Sequence, residues 1–155
     1  MLLPTFISHN RTKGDGGKVV EMSLAGIAID AVNRNPVVLL RDPTGRRQVP
    51  ICIDHSNAQS ILKGTQESQI RSLDNHDLMI SILKAGNLQL TRIIIHSLDE
   101  DTFQTVLQLR ENRKDNESHR KSSTPLVEIP SGASDAIALA VRTKCPIWML
   151  EKIVS

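Results

Sequence analysis

A chain of 155 residues is long enough for one domain with a single substantial core, and its net charge of +2 falls far short of a dedicated nucleic-acid coat. Hydrophobic residues make up 39% of the chain, yet the only aromatics are Phe6, Phe103 and Trp148. This argues against a base-stacking platform and leaves any nucleic-acid contact to charge. No run approaches the roughly eighteen apolar residues that a membrane helix needs, so no membrane partner is expected.

The opening MLLPTFISHNRTKGDGGK has an apolar start broken by Pro4, no basic n-region and no A-x-A-like cleavage site. Its glycine-rich GDGG marks residues 1–18 as a flexible leader, with 19–155 as the folded domain and Met22 an equally good first residue of it. From Val19 to Val32, VVEMSLAGIAIDAV reads as a strand, and Asn33 to Pro36 as a turn. PVVLLRD and RRQVPICI then form a hairpin through DPTG, where Asp42, Pro43 and Gly45 occupy positions that a type I turn favours. Ser56 can cap a short helix in which Ala58, Ile61 and Leu62 share one face, and Gly64 can end it.

LDNHDLMISILKAG reads as a second helix. Asp74 is its N-cap, Leu73 staples onto Leu78, Leu78, Met79, Ile82 and Leu83 face the core, and Gly86 is the stop. LQLTRIIIHSL and TFQTVLQLR form a second hairpin through DED. Between Arg110 and Ser123, five basic residues stand against three acidic ones with no apolar anchor, which fits a mobile surface loop or a phosphate-contacting arm. PLVEIP is a short strand. After it Ser134 caps a helix that is apolar nearly all round, Ala136 to Val141, and so belongs at the centre of the fold. PIWMLEKIV closes the described order as a strand with a short tail. The order β-β-β-α-α-β-β-β-α-β is that of an α+β fold: a mixed β-sheet built from hairpins, a buried C-terminal helix and two other short helices. Cys52 and Cys145 lie beside prolines in apolar strands without CxxC spacing. They read as buried free thiols of a reducing cytoplasm, with a disulfide or zinc site as the lesser alternatives.

The stretches GIAID, PVVLLRD, RRQVPICI, NHDLMISIL, TFQTVLQL and VEIPSGASDAIALAVRTKCPIW, in this order, resemble the bifunctional nuclease domain family, small bacterial and plant proteins described as cutting both DNA and RNA. The most specific piece is SDAIALAVRTKCPIW, followed by HDL at 76–78 and by the hairpin that ends in a PI-x-I strand. Several polar positions depart from the family pattern. Pro130, Ser131, Gly132 and Ala133 stand where it usually shows Asp-x-Arg-Pro, Asp54 and Asn57 replace a glycine and a glutamate, and Arg71 is displaced by one place. The resemblance implies an oligomeric α+β fold and a hydrolase acting on phosphodiesters of DNA or RNA. The alternative is a non-catalytic homo-oligomeric relative that binds nucleic acid or a protein.

Cleaving a phosphodiester requires positive charge on the non-bridging oxygens, a base for water and a proton or metal for the leaving oxygen. With the resemblance in view, His76 and Asp135 are the expected catalytic residues. Arg71, Arg142 and Lys144 are the expected nucleic-acid contacts, and Asp77 and Asp135 the ligands for a divalent ion such as Mg²⁺ or Mn²⁺. Each also has a structural reading. Asp135 and Arg142 suit the two poles of one helix dipole, and His76 can close a helix terminus. Asp30, Asp54 and His55 form a loose acidic set that matches no strong metal motif.

Overall fold

The computed structural model describes residues 17–65, 73–112 and 127–154. Its elements are β1 (Val19–Ile29), β2 (Pro36–Arg41), β3 (Gln48–Cys52), α1 (His55–Thr65), α2 (Asn75–Ala85), β4 (Leu88–Asp99), β5 (Thr102–Glu111), β6 (Val127–Gly132), α3 (Ala133–Thr143), β7 (Ile147–Leu150) and α4 (Glu151–Val154). The strands join in one mixed seven-stranded sheet of order β3-β2-β1-β7-β4-β5-β6. β4 and β7 are parallel, and the other neighbours are antiparallel. The chain is α+β, as its element order implies.

Both expected hairpins form. In the β2–β3 turn the Gly45 N–H donates to the Asp42 carbonyl at 3.0 Å, with Gly45 at φ 73°. The Asp42 carboxylate is 2% exposed. It accepts from Arg47 Nε at 2.8 Å and from the Thr44 hydroxyl, and the Arg47 hydrogen bond is the largest influence holding its pKa at about 2. The β4–β5 turn places Glu100 and Asp101 at φ 46° and 65°, the left-handed pair that a two-residue hairpin requires even without glycine.

From the sheet edge at β6, α3 crosses back over one face so that β7 can insert between β1 and β4. That face presents Leu90, Ile93, Ile95, Leu107 and Leu109, all buried. Ala136, Ile137 and Ala138 of α3 are each 0% exposed, so α3 is the central helix that its composition implies. Each large aliphatic side chain buried here is worth about 1.5–3 kcal/mol, and alanines let the helix axis lie close to the strands.

Local details differ from the sequence reading. β1 ends at Ile29, and Asp30 caps the following turn by accepting the Val32 N–H at 2.8 Å. α1 is capped by Asp54, whose Oδ1 accepts the Asn57 N–H at 2.6 Å, with Ser56 already inside the helix. Gly64 does not end α1 but lies within it. A Cβ there would sit 2.6 Å from Val141 Cγ2, so α1 can cross α3 only where it carries no side chain.

Gly132, not Ser134, is the N-cap of α3. α2 shows the largest departure. Leu73, Leu78, Met79 and Ile82 are exposed, at 82%, 57%, 40% and 61%, while His76 is buried and Ile80 and Leu83 pack against the core. The inward stripe is therefore 76, 80 and 83, and the staple of Leu73 on Leu78 buries neither residue. Cys52 is exposed on the outward side of β3, and Cys145 is half-buried with its thiol pushed up by burial; both are free. The leader expected over 1–18 and the basic stretch after Arg110 lie almost wholly outside the described residues. Lys18 is described, and its carbonyl accepts the Glu151 N–H at 2.7 Å. Among the described residues no helix is long and apolar enough to cross a membrane.

Candidate active site

α2 begins at a capping box built from two aspartates. Asp74 Oδ1 accepts the Asp77 N–H and Asp77 Oδ2 accepts the Asp74 N–H, each at 2.9 Å, with Asp77 where glutamate or glutamine is usual. The box turns the neighbouring His76 toward α1 and α3, where it is 4% exposed. Its Nδ1 lies 2.7 Å from Ser60 Oγ of α1, and its Nε2 lies 2.9 Å from Asp135 Oδ1 of α3. Three helices thus contribute one group each to a continuous row.

Asp135 sits in the first turn of α3. Because Gly132 offers no side-chain cap and Asp135 reaches across to His76, this carboxylate is committed to the site instead of to its own helix terminus. Its side chain is 50% exposed while that of His76 is 5% exposed. The pair therefore joins a solvent-facing carboxylate to a ring held almost entirely inside.

Arg142 occupies the ground behind the row, with its side chain 8% exposed. Nε donates to Asp77 Oδ1 at 2.9 Å, Nη2 to Asp74 Oδ2 at 2.8 Å and to Ser60 Oγ at 2.9 Å, and Nη1 to the Ala138 carbonyl at 2.9 Å. Lys63 Nζ donates to Asp77 Oδ2 at 2.8 Å and is 4.0 Å from Asp74 Oδ2. Burial would raise the Asp74 pKa, but the Asp77 N–H, the Ser60 hydroxyl and Arg142 together hold it below the ordinary value. At Asp77 burial is likewise outweighed, there by the Asp74 N–H, Lys63 and Arg142, and the carboxyl is held well below the usual range. The missing Cβ at Gly64 makes room for this clamp, since it would stand 3.1 Å from Arg142 Nη1.

In front of the row is an open cleft of about 310 Å³ lined by Asn57, Gln59, Lys63, Asn75, Met79, His76 and Asp135, among others. The rest of the lining includes Ser56, Ser60 and the Asp74 carboxylate, and Asn57 donates to Ser134 Oγ at 3.1 Å. The structure brings His76 and Asp135 together at this cleft. It places Arg142 beside them with its donors already occupied by Asp74, Asp77, Ser60 and Ala138. Lys144 is the left-handed C-cap of α3 and lies beside β1, nine residues from Asp135, about 14 Å along the helix. Arg71 lies outside the described residues.

Of the two expected metal ligands, Asp135 lines the cleft and Asp77 does not, because the oxygens of Asp77 are taken by Lys63, Arg142 and the Asp74 N–H. Among the described residues no group of three or more His, Cys, Asp or Glu side chains is arranged to hold a metal ion. Asp30 and Asp54 are spent on turn and helix caps. Ser60 and Lys63 escaped the sequence reading: a serine and a lysine on a short helix carry no signal until α2 and α3 are seen to face them.

The α+β domain thus carries a histidine–aspartate pair where three helices meet. The bifunctional nuclease domain model matches residues 38–155, and the chain belongs to that family. It is also similar to the uncharacterized proteins MT1877 and Rv1829 of Mycobacterium tuberculosis. Each is 27% identical to it over 135 residues, covering 87% of this chain and 74% of the relative.

Proposed function

We propose that the protein hydrolyses phosphodiester bonds of DNA or RNA with low sequence specificity, with His76 and Asp135 as the catalytic pair. The observation that carries this reading is the 2.9 Å contact between His76 Nε2 and Asp135 Oδ1, which sets a proton-handling pair at the wall of an open cleft. As the hydroxide of the attacking water joins phosphorus, the pair takes the water's proton, and the P–O bond to the leaving oxygen breaks as the pair gives that oxygen a proton, so the pair ends as it began. General acid–base catalysis of this kind contributes about 10²- to 10⁴-fold. Gln59 and Asn75 supply N–H donors for non-bridging oxygens, and Lys63 adds positive charge at the cleft wall.

The test is cleavage of single-stranded and duplex DNA and RNA, with and without EDTA. Asp135→Asn and His76→Gln should each lower the rate by about 10²-fold or more while leaving binding in place. With one lysine at the described cleft, log Kd should change with log salt by a slope on the order of one. Retention of cleavage in both variants would remove the pair from the chemistry. A second reading, a non-catalytic nucleic-acid- or protein-binding relative, is favoured by one observation. Asn57, at a position where the family shows glutamate, makes the wall beside Ser134 and Asp135 neutral. Binding without any cleavage in the unaltered protein selects that reading.

A further inference from the structure

We propose that Ser60 is a positioning residue that fixes the tautomer of His76, holding the ring proton on Nδ1 so that Nε2 and Asp135 share one proton between them. The argument is a count of hydrogens and lone pairs. Ser60 Oγ has three close partners, Asp74 Oδ2 at 2.7 Å, His76 Nδ1 at 2.7 Å and Arg142 Nη2 at 2.9 Å. Arg142 can only donate, so it occupies one lone pair of the hydroxyl. An ionised Asp74 can only accept, and two oxygens at 2.7 Å with no proton between them would face lone pair to lone pair. The single Ser60 hydrogen therefore goes to Asp74. One lone pair remains, and His76 must meet it with an N–H.

The direction of the Asp74 pKa, held below its ordinary value against the effect of burial, supports the acceptor assignment. The charged groups around the row are Asp74, Asp77, Lys63 and Arg142 on one side and Asp135 on the other. Their mutual pairing on the Ser60 side leaves Asp135, among the described residues, as the one carboxylate that His76 itself contacts.

The consequence for the pair is specific. With Nδ1–H committed to Ser60, the 2.9 Å contact on the other side is either Nε2–H with a carboxylate or bare Nε2 with a carboxylic acid. A proton moving between these two atoms changes neither the total charge nor the Ser60 contact. Its position on Asp135 is the one that faces the cleft. This last step rests on the hydrolase reading above, whereas the tautomer does not.

The experiment is ¹⁵N NMR of the imidazole nitrogens in the full chain, with the His76 signals among the five histidines assigned by their loss in His76→Gln. In the unaltered protein Nδ1 should keep a protonated-type shift from acid to alkaline pH, and any change should appear at Nε2. Ser60→Ala should release the ring toward the Nε2–H form that free histidine prefers, and Ser60→Thr should restore Nδ1–H. A bare Nδ1 in the unaltered protein overturns the proposal by itself, whether or not Ser60→Ala folds. An unchanged Nδ1–H signal in folded Ser60→Ala overturns it as well. Cleavage assays on the same proteins separate the two readings. Absence of cleavage in the unaltered protein sinks the hydrolase, while the NMR shifts alone decide the tautomer.

Discussion

Replacing Arg142 by methionine keeps most of the aliphatic stem and removes four hydrogen bonds, to Asp77, Asp74, Ser60 and the Ala138 carbonyl. If the guanidinium served only the negative end of α3, the loss would be about 0.3–1 kcal/mol. Removing one partner of a well-buried ion pair costs about 3–5 kcal/mol, because the other charge is left uncompensated. Arg142 is 8% exposed, but its partners Asp74 and Asp77 are 31% and 23% exposed and Lys63 remains on Asp77, so water and lysine recover part of that loss.

A destabilisation of about 2–3 kcal/mol is the expected result, or roughly 6–12 °C in Tm for a domain of this size. Urea denaturation of Arg142→Met, Asp74→Asn and the double variant gives the coupling directly, and about 1 kcal/mol or more of non-additivity is expected. A loss below about 1 kcal/mol that adds simply to that of Asp74→Asn would refute the clamp and return Arg142 to the helix dipole.

Gly64→Ala gains about 1 kcal/mol of helix propensity but forces a methyl to within 2.6 Å of Val141 Cγ2. A net loss of about 1–2 kcal/mol is expected, whereas Gly86→Ala, whose Cβ would meet nothing nearer than 3.6 Å, should lose less than Gly64→Ala in the same melts. Stability should fall as the pH drops below about 4, since Asp74 and Asp77 ionise more readily folded than unfolded. In that range the unfolded chain binds more protons, so their contribution is complete above the unfolded value and is lost as pH falls toward the folded ones. Arg142→Met should flatten this decline in urea titrations at stepped pH; an unchanged slope would show that the guanidinium does not depress the two carboxyls.

The sheet hairpins and α3 were legible in the sequence because their signals are local. Turn residues at Asp42–Gly45, alternating strands around them and an apolar run from Ala136 to Val141 allow few other conformations. Asp74 was legible as a cap for the same reason, since an N-cap acts on a backbone N–H three residues away. His76 and Asp135 were singled out by the resemblance, and their contact required the fold, since 59 residues separate them. The inward face of α2 was legible only at Leu83. Leu78 and Ile82 are the stronger hydrophobes by local pattern, yet the helix turns on the ion pairs of Asp77 with Lys63 and Arg142, which belong to two other helices. Gly64 carried the same ambiguity, reading as a helix stop until α3 was seen to pass within a methyl's breadth of it. Local hydrogen bonding and periodicity sufficed for the elements; the rotation of α2, the burial of Arg142 and the row from Ser60 to Asp135 depended on which distant surfaces met.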